Sequence, residues 1–349
     1  MDQETQYKNL PGALLPWFRE NARDLPWRRD RQPYHVWLSE IMLQQTRVEA
    51  VRGYYLRFLD ALPTVDSLAG VSEGELLKLW EGLGYYSRAR NLQKAARVIV
   101  AEHGGDFPAD YDAIRALPGV GPYTAGAIAS ICFEQPRAAV DGNVLRVLSR
   151  ITENASPVDL PEVRNDFTAR LEAVYPAGSC GAFTQSLMEL GATVCAPRSP
   201  RCGSCPCAGF CLALAHGTAA SLPKRLPKKG KRVEERTVFL LRCGDRTAIQ
   251  RRPAHGLLAG LWELPNEIGT LDASEALRRA EVLGVRPYEL VEEMHRAHVF
   301  THIRWEMTGY LLLCREETPA FVWASETELR ERYALPTAFR QFLGLPEAE

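Results

Sequence analysis

The sequence predicts a two-part chain, a mainly α-helical first region followed by a smaller α+β domain. Three observations predict it. Apolar residues recur at three- and four-residue spacing, with only short turns between, to about residue 215. Short β-type runs begin only after about residue 235. Between them, Leu222 to Arg232 holds six basic residues, two prolines, one glycine and no acidic residue, the texture of a linker. A chain of 349 residues is longer than one ordinary domain needs. The expected organisation is therefore a helical region over 1–221, a basic linker over 222–234 and a second domain over 235–349.

The elements follow in order. YHVWLSEIMLQQTRVEAVRGYYLRFL reads as helical by its apolar spacing. SEGELLKLWEGL is a further helix with Ser72 as its N-cap. YYSRARNLQKAARVIVAEHGG is another, stopped by Gly104 and Gly105. LPGVGPYTAGAIA, Leu117 to Ala129, is a tight turn leading into a helix, and NVLRVLSRI and LPEVRNDFTARLEAVY continue the helical pattern. Beyond the linker, TVFLLRC, RTAIQRR and RWEMTGYLLLC read as strands, with SEALRRAEVLG as a helix between them.

Composition narrows the class. With 46% apolar and 24% charged residues the chain is expected to be globular, with cores large enough to fold. The net charge of −1 means that any argument for nucleic acid must rest on local features. MDQETQYKNL has no signal-peptide pattern and no run approaches a membrane span. A soluble, cytoplasmic monomer with no membrane partner is expected, nucleoid-associated if the source is bacterial.

Five of nine cysteines fall between Cys195 and Cys211. Cys195, Cys202, Cys205 and Cys211 have the spacing C-x6-C-x2-C-x5-C, and Cys207 is left over. Four thiolates on one loop can surround a zinc ion or a [4Fe–4S] cluster, and the spacing leaves that choice open.

In LPGVG, Gly119 and Gly121 are suited to positive φ and to the close approach of another backbone. The amides opening the next helix would attract a phosphate. Glu40 lies three residues after Trp37, on a helical face that is partly apolar. A carboxyl held there has a raised pKa and can give up a proton near neutrality. Asp141 sits where a helix begins, so the N-terminal amides should keep it ionised. One protonated and one charged carboxyl form the pair that cleavage of a glycosidic bond uses.

LPGVGPYTA, VDGNVLR and the four-cysteine loop together resemble the helix-hairpin-helix base-excision glycosylases related to endonuclease III. SEIMLQQT (Ser39 to Thr46), FTQSLMELG and the appended second domain narrow the resemblance to the adenine DNA glycosylases, the MutY family. It spans essentially the whole chain. It implies a [4Fe–4S] cluster on Cys195, Cys202, Cys205 and Cys211. It implies Glu40 as the acid acting on the purine and Asp141 as the group that stabilises the sugar cation, with Asn143 near the sugar. Trp27, Arg28 and Gln185 match positions lining the adenine pocket. Gln45 and Tyr85 match residues that probe the duplex beside the lesion, where a flipped-out base leaves a gap in the stack.

The bifunctional relatives carry a lysine where this chain has Tyr123. A phenol cannot form an imine, and no lysine occurs between Ala95 and Pro223. The expectation is a monofunctional enzyme. The second domain resembles a Nudix fold whose box reads LRRAEVLG, keeping only Glu281 of the metal-binding glutamates; one carboxylate cannot organise Mg²⁺. The resemblance makes this a domain for reading 8-oxoguanine opposite adenine, through Phe300, Thr301 and His302 where the family has Phe-Ser-His. The expected substrate is double-stranded DNA with 8-oxoguanine·A or, less well, G·A. The rival readings are a bifunctional glycosylase/lyase, a non-enzymatic DNA-binding iron–sulfur redox sensor and a Nudix pyrophosphatase.

Overall fold

A computed structural model describes residues 3–227 and 230–345 of the chain. Lys228 and Lys229 of the expected linker lie outside the described residues. The helices run α1 Gln3–Asn21, α2 Pro33–Leu43, α3 Val48–Ala61, α4 Val65–Gly70, α5 Glu73–Leu79, α6 Ser87–His103, α7 Tyr111–Ala116, α8 Pro122–Phe133, α9 Gly142–Ile151, α10 Pro161–Glu172, α11 Cys180–Thr193 and α12 Leu212–Ala215. The chain forms two compact units. One is Met1–Gly70 with Asn91–Pro227; the other is Val71–Arg90 with Lys228–Glu349. Segment 71–90 thus packs with residues far from it in sequence.

The run from Tyr34 to Leu59 is two helices rather than one. Gln44 leaves helical geometry and Gln45 takes the left-handed region at φ +62°. A non-glycine residue there costs about 1 kcal/mol or more, so the break is imposed by the fold. Ser72 caps α5 as expected, its hydroxyl accepting from the Glu75 N–H while Glu75 reaches back to the Ser72 N–H.

The core of the first unit gathers Leu10 and Leu14 of α1, Val144 and Leu148 of α9, Phe167 and Leu171 of α10 and Phe183 and Leu187 of α11. Cys207, unassigned by its spacing, is fully buried in this cluster and serves as a small apolar residue. In α8 every residue from Thr124 to Ile131 is buried, as befits a helix apolar all round. A Cβ on Gly126 would stand 2.3 Å from the Ala138 carbonyl oxygen. This close approach lets the extended chain that leads to Asp141 lie directly against α8.

The second unit is built on a mixed sheet of β1 Arg232–Cys243, β2 Arg246–Arg251, β3 Trp262–Glu263, β4 Asn266–Ile268, β5 Pro287–Val299, β6 Ile303–Cys314 and β7 Val322–Ser325. The order is β3-β2-β1-β6-β5, with β4 added on β1 and β7 on β2. β1 and β6 are parallel, from Arg232 beside Ile303 to Arg242 beside Leu313, and the other pairings are antiparallel. Successive β1 residues bury on opposite faces. Val238 and Leu240 join the cluster of Trp305, Met307 and Phe339, while Phe239 and Leu241 join that of Tyr310 and Leu312. Helix α13 Ala273–Val282 sits where the helix was expected, and α14 Glu326–Glu331 and α15 Thr337–Arg340 follow. β5 was not foreseen. Only Met294 of PYELVEEMHRAHV is buried, so this edge strand has no alternating apolar signal to read.

Among the described residues no helix is long and apolar enough to cross a membrane.

Candidate active site

A pocket of about 950 Å³ opens in the first unit. Its lining includes every residue of that unit expected at the glycosylase site: Trp27, Arg28, Glu40, Gln45, Gly119, Gly121, Tyr123, Asp141, Asn143 and Gln185.

Glu40 is 6% exposed, on the turn of α2 that also carries the fully buried Trp37. Its Oε2 accepts a hydrogen bond from the Tyr123 hydroxyl at 2.5 Å. Burial pushes the Glu40 carboxyl up to about 7; the nearby Asp141 charge adds to the rise, and Tyr123 and Arg28 oppose it. The fold thus builds a buried glutamate bonded to a phenol, not a solvated one on a helix surface. Burial in turn lifts the Tyr123 hydroxyl well above the ordinary phenol range, so it stays protonated and donates.

Asp141 is the N-cap of α9. Its Oδ1 accepts from the Asn143 and Val144 N–H groups at 2.9 and 2.7 Å, and its Oδ2 accepts from the Asn143 side-chain amide at 2.8 Å. It is a structural cap and a pocket residue at once. The N-terminal amides were expected to dominate its titration. They do not: burial raises the Asp141 carboxyl above the usual aspartate value, against the pull of these donors. The Asn143 side chain is held in turn by Arg146, whose Nη2 donates to its Oδ1 at 2.8 Å.

Two residues that sequence reasoning missed, Glu189 and Arg23, shape the pocket wall. Glu189 of α11 is fully buried. It accepts from Arg23 Nε and Nη2 at 2.7 and 2.9 Å and from Arg28 Nη2 at 2.8 Å. Burial would raise its carboxyl, but these guanidinium bonds outweigh it and hold Glu189 below the usual range. Arg28 is thereby fixed in direction. The available signal was a lone acid inside the apolar run SLMELGA. Trp27 is buried, with its ring edge-on to Tyr55 at 5.4 Å.

The hairpin differs in detail from expectation. Gly119 has φ +77°, and a Cβ there would lie 2.6 Å from Asn91 Cβ. Gly121 has φ −90° and open space around it, so only Gly119 is required by backbone conformation. Gly121 is the N-cap of α8 and has no side chain to shield the helix start.

Cys195, Cys202, Cys205 and Cys211 line one small pocket together with Val147, Arg150 and Leu190. Arg150 Nη1 donates to Cys195 Sγ at 3.3 Å and to the Ala196 carbonyl at 2.8 Å. Among the described residues no three His, Cys, Asp or Glu side chains form a closed metal-ligand set. The donor set itself, four thiols of one loop facing a common space beside a guanidinium, fits a group that takes four thiolate ligands.

In the second unit, Phe300, Thr301 and His302 form the turn between β5 and β6. Phe300 N–H donates to the Ile303 carbonyl at 2.8 Å, and the Phe300 ring meets Trp305 edge-on at 4.8 Å. Lys231 Nζ donates to the Phe300 carbonyl at 2.7 Å, and the Arg232 N–H to the His302 carbonyl at 3.1 Å. Thr301 and His302 are exposed. Tyr85, also exposed, has φ +48° and places its hydroxyl 3.0 Å from that of Thr301. Tyr86 beside it is buried, which separates the two adjacent tyrosines. Glu281 is exposed on α13.

The first unit and its pocket define a helix-hairpin-helix DNA glycosylase. The family model of the HhH-GPD superfamily base excision DNA repair proteins matches residues 38–169, and that of the NUDIX domain matches 237–345. The chain belongs to the adenine DNA glycosylase family, enzymes that hydrolyse an N-glycosidic bond in base excision repair. It is 36% identical to the adenine DNA glycosylase of Rattus norvegicus over 96% of this chain and 77% of that one. It is likewise 36% identical to that of Homo sapiens, over 95% and 74%. Among solved structures, a thermostable thymine-DNA glycosylase superposes with a TM-score of 0.56 at 30% identity, covering 61% of this chain and 98% of that one.

Proposed function

We propose that this enzyme excises adenine opposite 8-oxoguanine, and more weakly opposite G, without cutting the strand. The observation that carries the chemistry is the pairing of Glu40, poised near neutrality by burial, with Asp141 on the same pocket. In this reading the protonated Glu40 carboxyl gives its proton to the purine as the bond from sugar to base breaks. Such a proton transfer contributes about 10²–10⁴ in rate. Asp141, in its charged form, stabilises the oxocarbenium-like sugar, directly or through a transient bond to its C1′. Water then adds at C1′, its proton passes to a carboxylate, and an abasic strand remains. Asn143 holds the Asp141 carboxylate, and Trp27, Arg28 and Gln185 enclose the base. Gln45 and Tyr85 probe the stack, while Gly119 and Gly121 bring the start of α8 to a phosphate. Phe300, Thr301 and His302 read the opposite base.

Tyr123 supports a monofunctional reaction, because the group beside Glu40 is a phenol rather than an amine. Cys195, Cys202, Cys205 and Cys211 would hold a [4Fe–4S] cluster, which supplies a cross-link for the 195–211 loop; no step of the reaction passes through it. The expected division was a helical region over 1–221, a linker over 222–234 and a recognition domain over 235–349; in our reading segment 71–90 is grouped with the recognition domain, and the linker stops where β1 begins at Arg232.

The test is single-turnover adenine release from an 8-oxoguanine·A duplex by the wild type, Glu40→Gln and Asp141→Asn. Both variants are expected to lose at least about 10²-fold in rate, with no strand cleavage before alkali and no borohydride-trapped adduct in the wild type. Release at the wild-type rate by either variant would refute its assigned role.

A further inference from the structure

Within the second unit, Glu81 is an acid that the active-site chemistry does not use. It is 5% exposed. Its Oε2 accepts from Lys78 Nζ at 2.6 Å and pairs with Arg340 Nη1 at 3.0 Å, and its Oε1 accepts from the Leu335 N–H at 2.7 Å. Lys78 Nζ also donates to the Tyr333 carbonyl at 3.2 Å. These bonds tie segment 71–90 to the C-terminal residues 333–340.

From Glu81 the chain runs directly into a turn with Gly82 at φ +96°, Gly84 at +68° and Tyr85 at +48°. The turn is braced from within. Trp80 Nε1 donates to the Gly84 carbonyl at 3.1 Å, and Arg88 Nη2 donates to the Leu83 and Gly84 carbonyls at 3.0 and 3.1 Å. The Arg88 guanidinium lies 5.6 Å from the Tyr85 ring centre. At the far end of this turn the Tyr85 hydroxyl meets that of Thr301. A buried carboxylate with three donors thus anchors one end of a rigid turn, and the other end touches the β5–β6 loop.

We propose that Glu81 is a positioning residue for reading the base opposite the excised adenine, and that it acts through Tyr85 on Thr301. The inference rests on the reading of Phe300, Thr301 and His302 as the recognition loop. Glu81 touches no substrate. It holds the Tyr85 hydroxyl at the height of the Thr301 hydroxyl, and so limits the orientations in which Thr301 meets a base. A constellation of this kind works only when its supports are locked.

The experiment measures discrimination, the ratio of single-turnover adenine release from 8-oxoguanine·A and G·A duplexes. It is run on the full chain as wild type, Glu81→Gln, Thr301→Val and the double variant, with thermal melting in parallel. Each single change is expected to lower the ratio about tenfold, and the double no further than the more severe single, since both interrupt one path. Release from G·A by Glu81→Gln is expected to stay within about threefold of the wild type. Equal slowing on both duplexes, or effects that multiply in the double variant, would overturn the positioning role. A ratio lowered by Thr301→Val but untouched by Glu81→Gln would overturn it too, while sparing the recognition loop. A ratio untouched by Thr301→Val would instead remove the recognition reading itself. Should Glu81→Gln fail to fold, Lys78→Met leaves Glu81 its bonds to Arg340 and Leu335 and enters the same cycle with the same outcomes.

Discussion

Glu40 illustrates how a single side chain becomes an acid. Its place on the face of Trp37 was legible in the sequence because helical spacing is local. Its partner Tyr123 was singled out by sequence for another reason, and their bond joins α2 to α8, which no local pattern encodes. Two predictions follow at this scale. Adenine release should fall as pH rises through about 7, where Glu40 loses its proton, and fall again in acid as Asp141 is protonated. Because the two charges interact, the limbs belong to the pair; single-turnover rates across pH check this, and a flat profile between pH 6 and 9 would refute it. Stability follows from the same shift. A carboxyl raised from 4.5 to about 7 binds its proton more tightly when folded. Its contribution is therefore complete below about pH 4.5 and is lost as pH rises to about 7, on the order of 3 kcal/mol in all. The uncharged isostere Glu40→Gln should melt near the wild type at pH 5 and be more stable at pH 8, while losing activity at both.

The hairpin and the cysteine loop are decided at the level of elements. LPGVG was recognisable as a turn, but the division of labour between its glycines was not, since that depends on Asn91 from α6. Gly119→Ala should cost about 1–3 kcal/mol in folding, through strained φ and the clash with Asn91. Gly121→Ala, at ordinary φ in open space, should cost about 1 kcal/mol or less. It should weaken duplex binding all the same if the phosphate approaches there. Denaturant melts and duplex titrations on both variants separate the two effects. For the cysteine loop, iron and acid-labile sulfide analysis is expected to find about four of each per chain and to lose both in Cys202→Ser, with duplex affinity falling more than the chemical step. Cys207→Ala should keep the iron and lose only a little packing, in line with its burial among apolar residues.

At the scale of the whole molecule, the two-part organisation is legible in composition, whereas the membership of segment 71–90 is not. Leu76, Leu77 and Trp80 are fully buried, and the carbonyls and charges that hold Lys78 and Glu81 come from residues 329–340. A chain ending at residue 227 should therefore leave 71–90 unsupported, and limited proteolysis should cut it there at sites protected in the full chain. The edge strand β5 was invisible for a related reason: its residues are mostly solvated, and what makes it a strand is its pairing with β6. By itself the sequence determined the family, the two classes of structure, the four-thiol loop, and the residues available for chemistry. Those are properties of composition, spacing and residue type, all of which act over a few positions. Only the tertiary structure decided that Glu40 is desolvated and bonded to Tyr123, that burial outweighs the amides at Asp141, that Glu189 fixes Arg28, and that Glu81 ties segment 71–90 to Leu335 and Arg340. Desolvation and ion pairing are set by whatever the fold brings alongside, and in each case the neighbours that decide come from another element.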